Sequence, residues 1–131
     1  MQEINPGLTG EAKTMVSEAN TAINVGSGSV AVFATPMLVA LMENAAINAL
    51  NGSLSEGEGS VGTKVDIAHT AATPAGLTVT ARAELVEVDR KRLVFKVSAA
   101  DDSSPIGHGK HERFIVNLDK FMAKAEEKSR S

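Results

Sequence analysis

Thr35-Pro-Met-Leu-Val-Ala-Leu-Met-Glu-Asn-Ala-Ala-Ile-Asn-Ala-Leu50, followed by Asn51-Gly52, is the stretch on which the architecture turns. Thr35 reads as an N-cap and Pro36 as the first helical position, because the missing proline N–H would have no partner there. The predicted helix runs over residues 36–50 and ends at Asn51-Gly52. It is apolar over most of its circumference, as expected of a helix covered by other structure. Four strand-like runs follow, at residues 61–72, 77–88, 93–100 and 106–118. Their separators, Thr73-Pro-Ala-Gly76, Asp89-Arg-Lys-Arg92 and Asp101-Asp-Ser-Ser-Pro105, are short, so the strands are expected to form antiparallel hairpins. A weaker strand is expected at residues 8–16 and a helix at 119–128. The predicted class is α+β, an antiparallel β-sheet wrapped around one long central α-helix.

The composition narrows the function. With 131 residues the chain is expected to form a single domain over residues 1–131. It has no cysteine, which excludes disulfides, thiolate zinc sites and a cysteine nucleophile. A net charge of −3 with only 3% aromatic residues argues against nucleic acid, which favours basic stripes and stacking rings. The longest apolar run, residues 30–42, is broken by Thr35 and Pro36 and falls short of the ~20 residues a membrane span needs. Glu3, Glu11 and Glu18 leave no apolar signal segment in the first twenty residues, so a cytoplasmic location is expected.

Charge is unevenly spread. Between Ala19 and Ser55 the only charged side chain is Glu43. Helical geometry places it with Val39, Ala40, Ala46, Ile47 and Leu50, away from the polar stripe of Asn44, Asn48 and Asn51. It is either a solvated helix charge or a half-buried carboxylate suited to base or nucleophile work. His69 alternates in phase with Val61, Thr63, Val65, Ile67 and Ala71, so it is expected on the apolar face, as a structural histidine or a proton carrier. Thr35, if not merely a cap, stands at a helix N-terminus where a substrate oxygen would be stabilised. Thr35 and Glu43 are eight residues apart, ~12 Å along a helix, so joint action needs a late helix start or two subunits. Arg113 falls on the strand face opposite Phe114 and Val116, as a solvated charge or a ligand contact. His108 and His111 point to opposite strand faces, a poor arrangement for a metal, so no metal is expected. Arg90-Lys91-Arg92 is a soluble turn or a phosphate contact, and the glycines near Gly57 match no phosphate loop.

Three segments carry a family likeness. They are Val32-Phe-Ala-Thr-Pro-Met-Leu-Val-Ala-Leu-Met-Glu43, Gly57-Glu-Gly-Ser-Val-Gly-Thr63 running into His69-Thr-Ala-Ala-Thr-Pro74, and Gly107-His-Gly-Lys-His-Glu-Arg113. In order and spacing they resemble the hotdog-fold acyl-CoA thioesterases, specifically the fluoroacetyl-CoA thioesterase-like family. The resemblance implies a hotdog fold, a homodimer or tetramer with active sites at the subunit interface, and no cofactor. The implied activity is hydrolysis of an acyl-CoA to free acid and coenzyme A; the alternative is a non-catalytic acyl-CoA-binding module. Thr35, Glu43 and His69 match the family's catalytic positions. Gly62 matches a glycine whose backbone helps hold the thioester carbonyl, and Arg113 an arginine near the substrate. In the implied mechanism Glu43 attacks the carbonyl or activates water, His69 manages protons, and Thr35 orients the carboxylate. Members selective for fluoroacetate carry a Phe-bearing lid before the helix. Here Ala22-Ile-Asn-Val-Gly-Ser-Gly-Ser-Val-Ala31 is shorter and has no Phe, which implies other small or short-chain acyl groups.

Overall fold

A computed structural model of the chain describes residues 3–130. Strand β1 (Thr9–Met15) leads through a 3-10 turn (Glu18–Asn20) and a short helix α1 (Ala22–Val25) to the long helix α2 (Thr35–Ala49). Strands β2 (Glu58–His69), β3 (Thr78–Asp89), β4 (Arg92–Ala100) and β5 (Pro105–Asn117) follow, and helix α3 (Leu118–Glu127) comes last. The five strands form one antiparallel sheet in the order β1-β3-β4-β5-β2. The two-residue turn between β3 and β4 holds Arg90 at φ 59°, in the left-handed region that tight hairpins favour. Between β4 and β5, Asp101 Oδ1 accepts the backbone N–H groups of Ser103 and Ser104, at 2.8 and 2.9 Å.

Alternation gives β3 and β4 their inward faces. Val79, Ala81, Ala83 and Leu85 from β3, with Leu93, Phe95, Val97 and Ala99 from β4, are buried. Against them α2 lays Leu38, Leu41, Met42, Ala45 and Ala49. Each of the large side chains contributes roughly 1.5–3 kcal/mol by leaving water, and the alanines let helix and sheet approach closely. Gly10 marks the tightest approach. A β-carbon there would collide with the helix backbone at Ala45 and Ala49, so β1 can cross α2 only without a side chain. Asn48 Nδ2 fastens the same crossing by donating to the Glu11 carbonyl at 2.7 Å.

Three expectations are corrected. The residue before the helix is Ala34, with extended backbone, so Thr35 is the first helical residue rather than its cap and its hydroxyl makes no capping bond. The sheet curls over α2 as expected, but within one chain it does not cover the helix all round, and Ala40, Asn44, Ile47 and Asn48 stay exposed. Strand β2 carries a bulge between Gly62 and Lys64, which breaks the simple alternation assumed for His69. Beyond the bulge Val65, Ile67 and His69 pair with His111, Gly109 and Gly107 and share their face. Before it the inward residues are Ser60 and Gly62, paired with Ile115 and Arg113, and not Val61 and Thr63.

Candidate active site

Two clusters of polar side chains flank α2. The first lies at its N-terminus. There the Thr35 hydroxyl and His69 Nδ1 are 2.7 Å apart, joining the first turn of the helix to the last residue of β2. The other ring nitrogen, His69 Nε2, is buried without a hydrogen-bond partner. An unpartnered buried nitrogen is costly in a purely structural histidine, and is what a ring awaiting a reacting group would show. Beside the pair is a pocket of about 350 Å³. Val30, Val32 and Phe33 line one side and residues 70–72 another. The segment over this pocket is pinned at both ends, by Ala22 N–H to the Val32 carbonyl and Phe33 N–H to the Thr73 carbonyl, both at 2.8 Å. Between those ends it presents Ser27, Gly28 and Val30 to the pocket, and no aromatic ring.

The second cluster lies two turns along α2. Glu43, half-buried, faces Gly62 of β2 so closely that a β-carbon on Gly62 would stand 2.6 Å from Glu43 Oε2. Arg113 Nη1 lies 3.7 Å from the same oxygen. Arg113 is itself buried, at 4% exposure, which removes the solvated reading of this residue. Its Nε donates to Ser60 Oγ at 2.8 Å, its Nη2 to the Ser60 carbonyl at 2.9 Å, and its Nη1 to His111 Nε2 at 3.1 Å. Burial lowers the Arg113 pKa and the Glu43 charge raises it; a guanidinium keeps its charge through such shifts.

Of the five residues singled out from the sequence, the fold therefore brings Thr35 to His69, and Glu43 to Gly62 and Arg113. It does not join the two groups within one chain. Thr35 and Glu43 are ~12 Å apart along the helix, and seven residues of strand, roughly 20 Å, separate Gly62 from His69. Within one chain the Thr35 hydroxyl engages the His69 imidazole and lies well away from that chain's own Glu43. Ser60 and His111 were not found by sequence reasoning. The signal for Ser60 is spatial, since it lies 53 residues from Arg113 and faces it only because of the strand register, whereas His111 is two residues from Arg113 on the same strand face.

Both site histidines titrate low. Burial depresses His69, outweighing the upward pull of the nearby Ala71 backbone. Burial also depresses His111, reinforced by the Arg113 charge and opposed by the Lys64 carbonyl. A ring kept neutral in the fold but free to protonate when unfolded stabilises fully above the unfolded pKa, about 6.5, and loses that contribution as pH falls through the folded pKa. The melting temperature is therefore expected to be flat from pH 8 to 7 and to fall on acidification below pH 6.5. A rise between pH 7 and 5 would contradict this. For the same reason the acid limb of kcat/KM belongs below pH 6.5, because His69 must be neutral to accept a proton.

The chain is similar to known proteins in both sequence and fold. The sequence profile of the fluoroacetyl-CoA-specific thioesterase family matches residues 16–119. The chain is 51% identical over 98 residues to the fluoroacetyl-CoA thioesterase of Streptantibioticus cattleyicolor, covering 75% of this chain and 70% of that one. A solved structure of a fluoroacetyl-CoA thioesterase superimposes with a TM-score of 0.90 at 40% identity, over 97% of this chain and 98% of the other. A thioesterase-superfamily protein of Thermus thermophilus superimposes with a TM-score of 0.91 at 26% identity, over 99% and 96% of the two chains. The fold is thus the hotdog fold anticipated from the helix and its hairpins, and the chain belongs to the fluoroacetyl-CoA-specific thioesterase family.

Proposed function

We propose that this protein hydrolyses small acyl-CoA thioesters at sites built jointly by two copies of the chain. The reaction class follows from the family. The observation that carries the site is the Glu43 carboxylate, the lone charge of a 37-residue stretch, held against the bare backbone of Gly62 and backed by a buried guanidinium. In this reading Glu43 attacks the thioester carbonyl or activates water to do so. A backbone N–H, that of Gly62 among them, stabilises the oxyanion as charge develops. The C–S bond then breaks, and His69, neutral at rest and partnered by Thr35, takes up the proton that the hydrolytic water sheds and delivers it to the departing CoA thiolate.

The homodimer is supported by what one chain leaves open. Strand β2 ends the sheet, so its outer edge has no strand partner among the described residues. Val65, on its inward face, is 38% exposed, and Ile47 on the open side of α2 is 47% exposed. Antiparallel pairing of two β2 edges about a two-fold axis near Val65 and Asp66 would bring Gly62 of one subunit towards His69 of the other. That unites the two clusters at each of two equivalent sites. We take residues 1–131 as one hotdog unit working in the cytoplasm; no helix among the described residues is long and apolar enough to cross a membrane.

The pocket beside Thr35 and His69 guides the choice of acyl group. The segment over it offers the small residues Ser27, Gly28 and Val30, and the phenyl ring at the pocket, Phe33, is packed into the core rather than carried by that segment. Release of free CoA from fluoroacetyl-, acetyl-, propionyl- and butyryl-CoA tests both claims, and a thiol reagent reads CoA cleanly because the protein has no cysteine. The expected result is turnover of the short-chain substrates, with fluoroacetyl-CoA within about tenfold of acetyl-CoA, a difference of ~1.4 kcal/mol in the barrier. A fluoroacetyl preference of several orders of magnitude would overturn the specificity claim. Binding of every acyl-CoA without turnover would overturn the function.

A further inference from the structure

Beneath Glu43 lies a histidine that the proposed reaction does not use. His111 is 1% exposed, and its Nδ1–H donates to the Lys64 carbonyl at 2.8 Å, where the β2 bulge interrupts the ladder. A carbonyl can only accept, so this bond places the ring proton on Nδ1 and leaves a lone pair on Nε2. A guanidinium can only donate, and Arg113 Nη1 meets that lone pair at 3.1 Å. The roles at both ends of the imidazole are thereby fixed. On the other flank Ser60 takes Arg113 Nε–H with its hydroxyl and an Nη2–H with its carbonyl. The second N–H of Nη1 is left for the Glu43 carboxylate, 3.7 Å away.

We propose that His111 and Ser60 are positioning residues that lock the Arg113 guanidinium edge-on to Glu43, so that Arg113 sets where the reacting carboxylate stands. The inference rests on the role proposed for Glu43. An arginine meant for a CoA phosphate would offer free N–H groups to solvent, whereas the Arg113 side chain is 5% exposed and bonded through all three nitrogens. A buried guanidinium is tolerated only with acceptors around it. Acidic acceptors would neutralise it and compete with Glu43. A neutral imidazole, a hydroxyl and a carbonyl satisfy its N–H groups and leave its charge for the carboxylate.

The test is steady-state CoA release by the full-length protein. Ser60→Ala deletes the Nε acceptor but keeps the backbone carbonyl. His111→Phe keeps a ring beside Phe95, whose centroid lies 6.3 Å from that of His111, and deletes both ring hydrogen bonds. Expected is a fall in kcat of about tenfold for Ser60→Ala and about 30-fold or more for His111→Phe, with KM within about twofold. His111→Gln, whose side-chain oxygen can accept from Arg113, is expected to recover most of the loss. In an Arg113→Met background Ser60→Ala is expected to change kcat no further, because its effect passes through the missing guanidinium. Wild-type kcat in Ser60→Ala, or an equal Ser60→Ala loss with and without Arg113, overturns the inference. Those Ser60 results decide it even if His111→Phe does not fold. Active wild type with unaffected variants removes this inference alone, whereas a wild type that releases no CoA removes the proposed function and the inference with it.

Discussion

Mixing a Glu43→Ala protein with a His69→Ala protein is expected to restore about a quarter of wild-type turnover, although each alone is down ~10³-fold or more. The two side chains sit in separate clusters of one chain, Glu43 against Gly62 and His69 against Thr35. If each site combines the first cluster of one subunit with the second of its partner, both sites of either variant homodimer are defective. In a mixed dimer one site collects both lesions and the other collects none. Random exchange makes half the dimers mixed, and each mixed dimer has one intact site of two. A site completed within one chain gives the opposite result, since every chain carries a lesion and mixing restores nothing. The measurement is CoA release after co-expression of differently tagged variants, with the doubly tagged dimer isolated. That species should show about half of wild-type activity. Isolated mixed dimers that remain as inactive as the parents would show that the clusters do not combine across subunits.

The sequence made the scaffold legible because the scaffold obeys local rules. Proline at position 36, Asn51-Gly52 beyond the helix, and the turn residues between strands each act over a few neighbours, so α2 and the five strands fall near their expected places. Glu43 was legible for a different reason: a single charge in a long uncharged stretch needs no three-dimensional information to be conspicuous. The polar surroundings of that charge were not legible. A one-residue bulge at Gly62 and Lys64 reverses the side-chain parity of β2. Period-two reading carried back from His69 therefore turns Ser60 and Gly62 away from the helix they face. From the residues alone Arg113 stays open between a solvated charge and a ligand contact, because Ser60, which takes two of its hydrogen bonds, lies 53 residues away. His111 was weighed only as a metal ligand with His108, since sequence offers no view of the Lys64 carbonyl that fixes its proton. Thr35 reads as a cap from its place before Pro36, yet its hydroxyl is drawn to a ring 34 residues away.

Gly62→Ala is expected to lower kcat about 10²-fold or more while shifting the melting temperature by no more than a few degrees. The added β-carbon would lie 2.6 Å from Glu43 Oε2, 3.2 Å from His111 Cε1 and 3.3 Å from Arg113 Nη1. The shortest of these involves the far end of a flexible side chain that is 36% exposed, so the carboxylate can swing into solvent at little cost to the fold. Leaving, it loses its place beside the guanidinium and Gly62, which is where the proposed chemistry needs it. Stability and activity thus part company at this position, unlike at Gly10, where a β-carbon would strike the helix backbone itself and destabilise the sheet–helix contact. An alanine at position 62 keeps its backbone N–H, so the loss would measure displacement of Glu43 rather than removal of an oxyanion donor. Calorimetry and CoA release on the same preparation separate the two effects. Wild-type kcat in Gly62→Ala would mean that the close approach of Glu43 to the β2 backbone has no part in catalysis, and a collapse in stability would mean that the carboxylate is held more rigidly than its exposure implies.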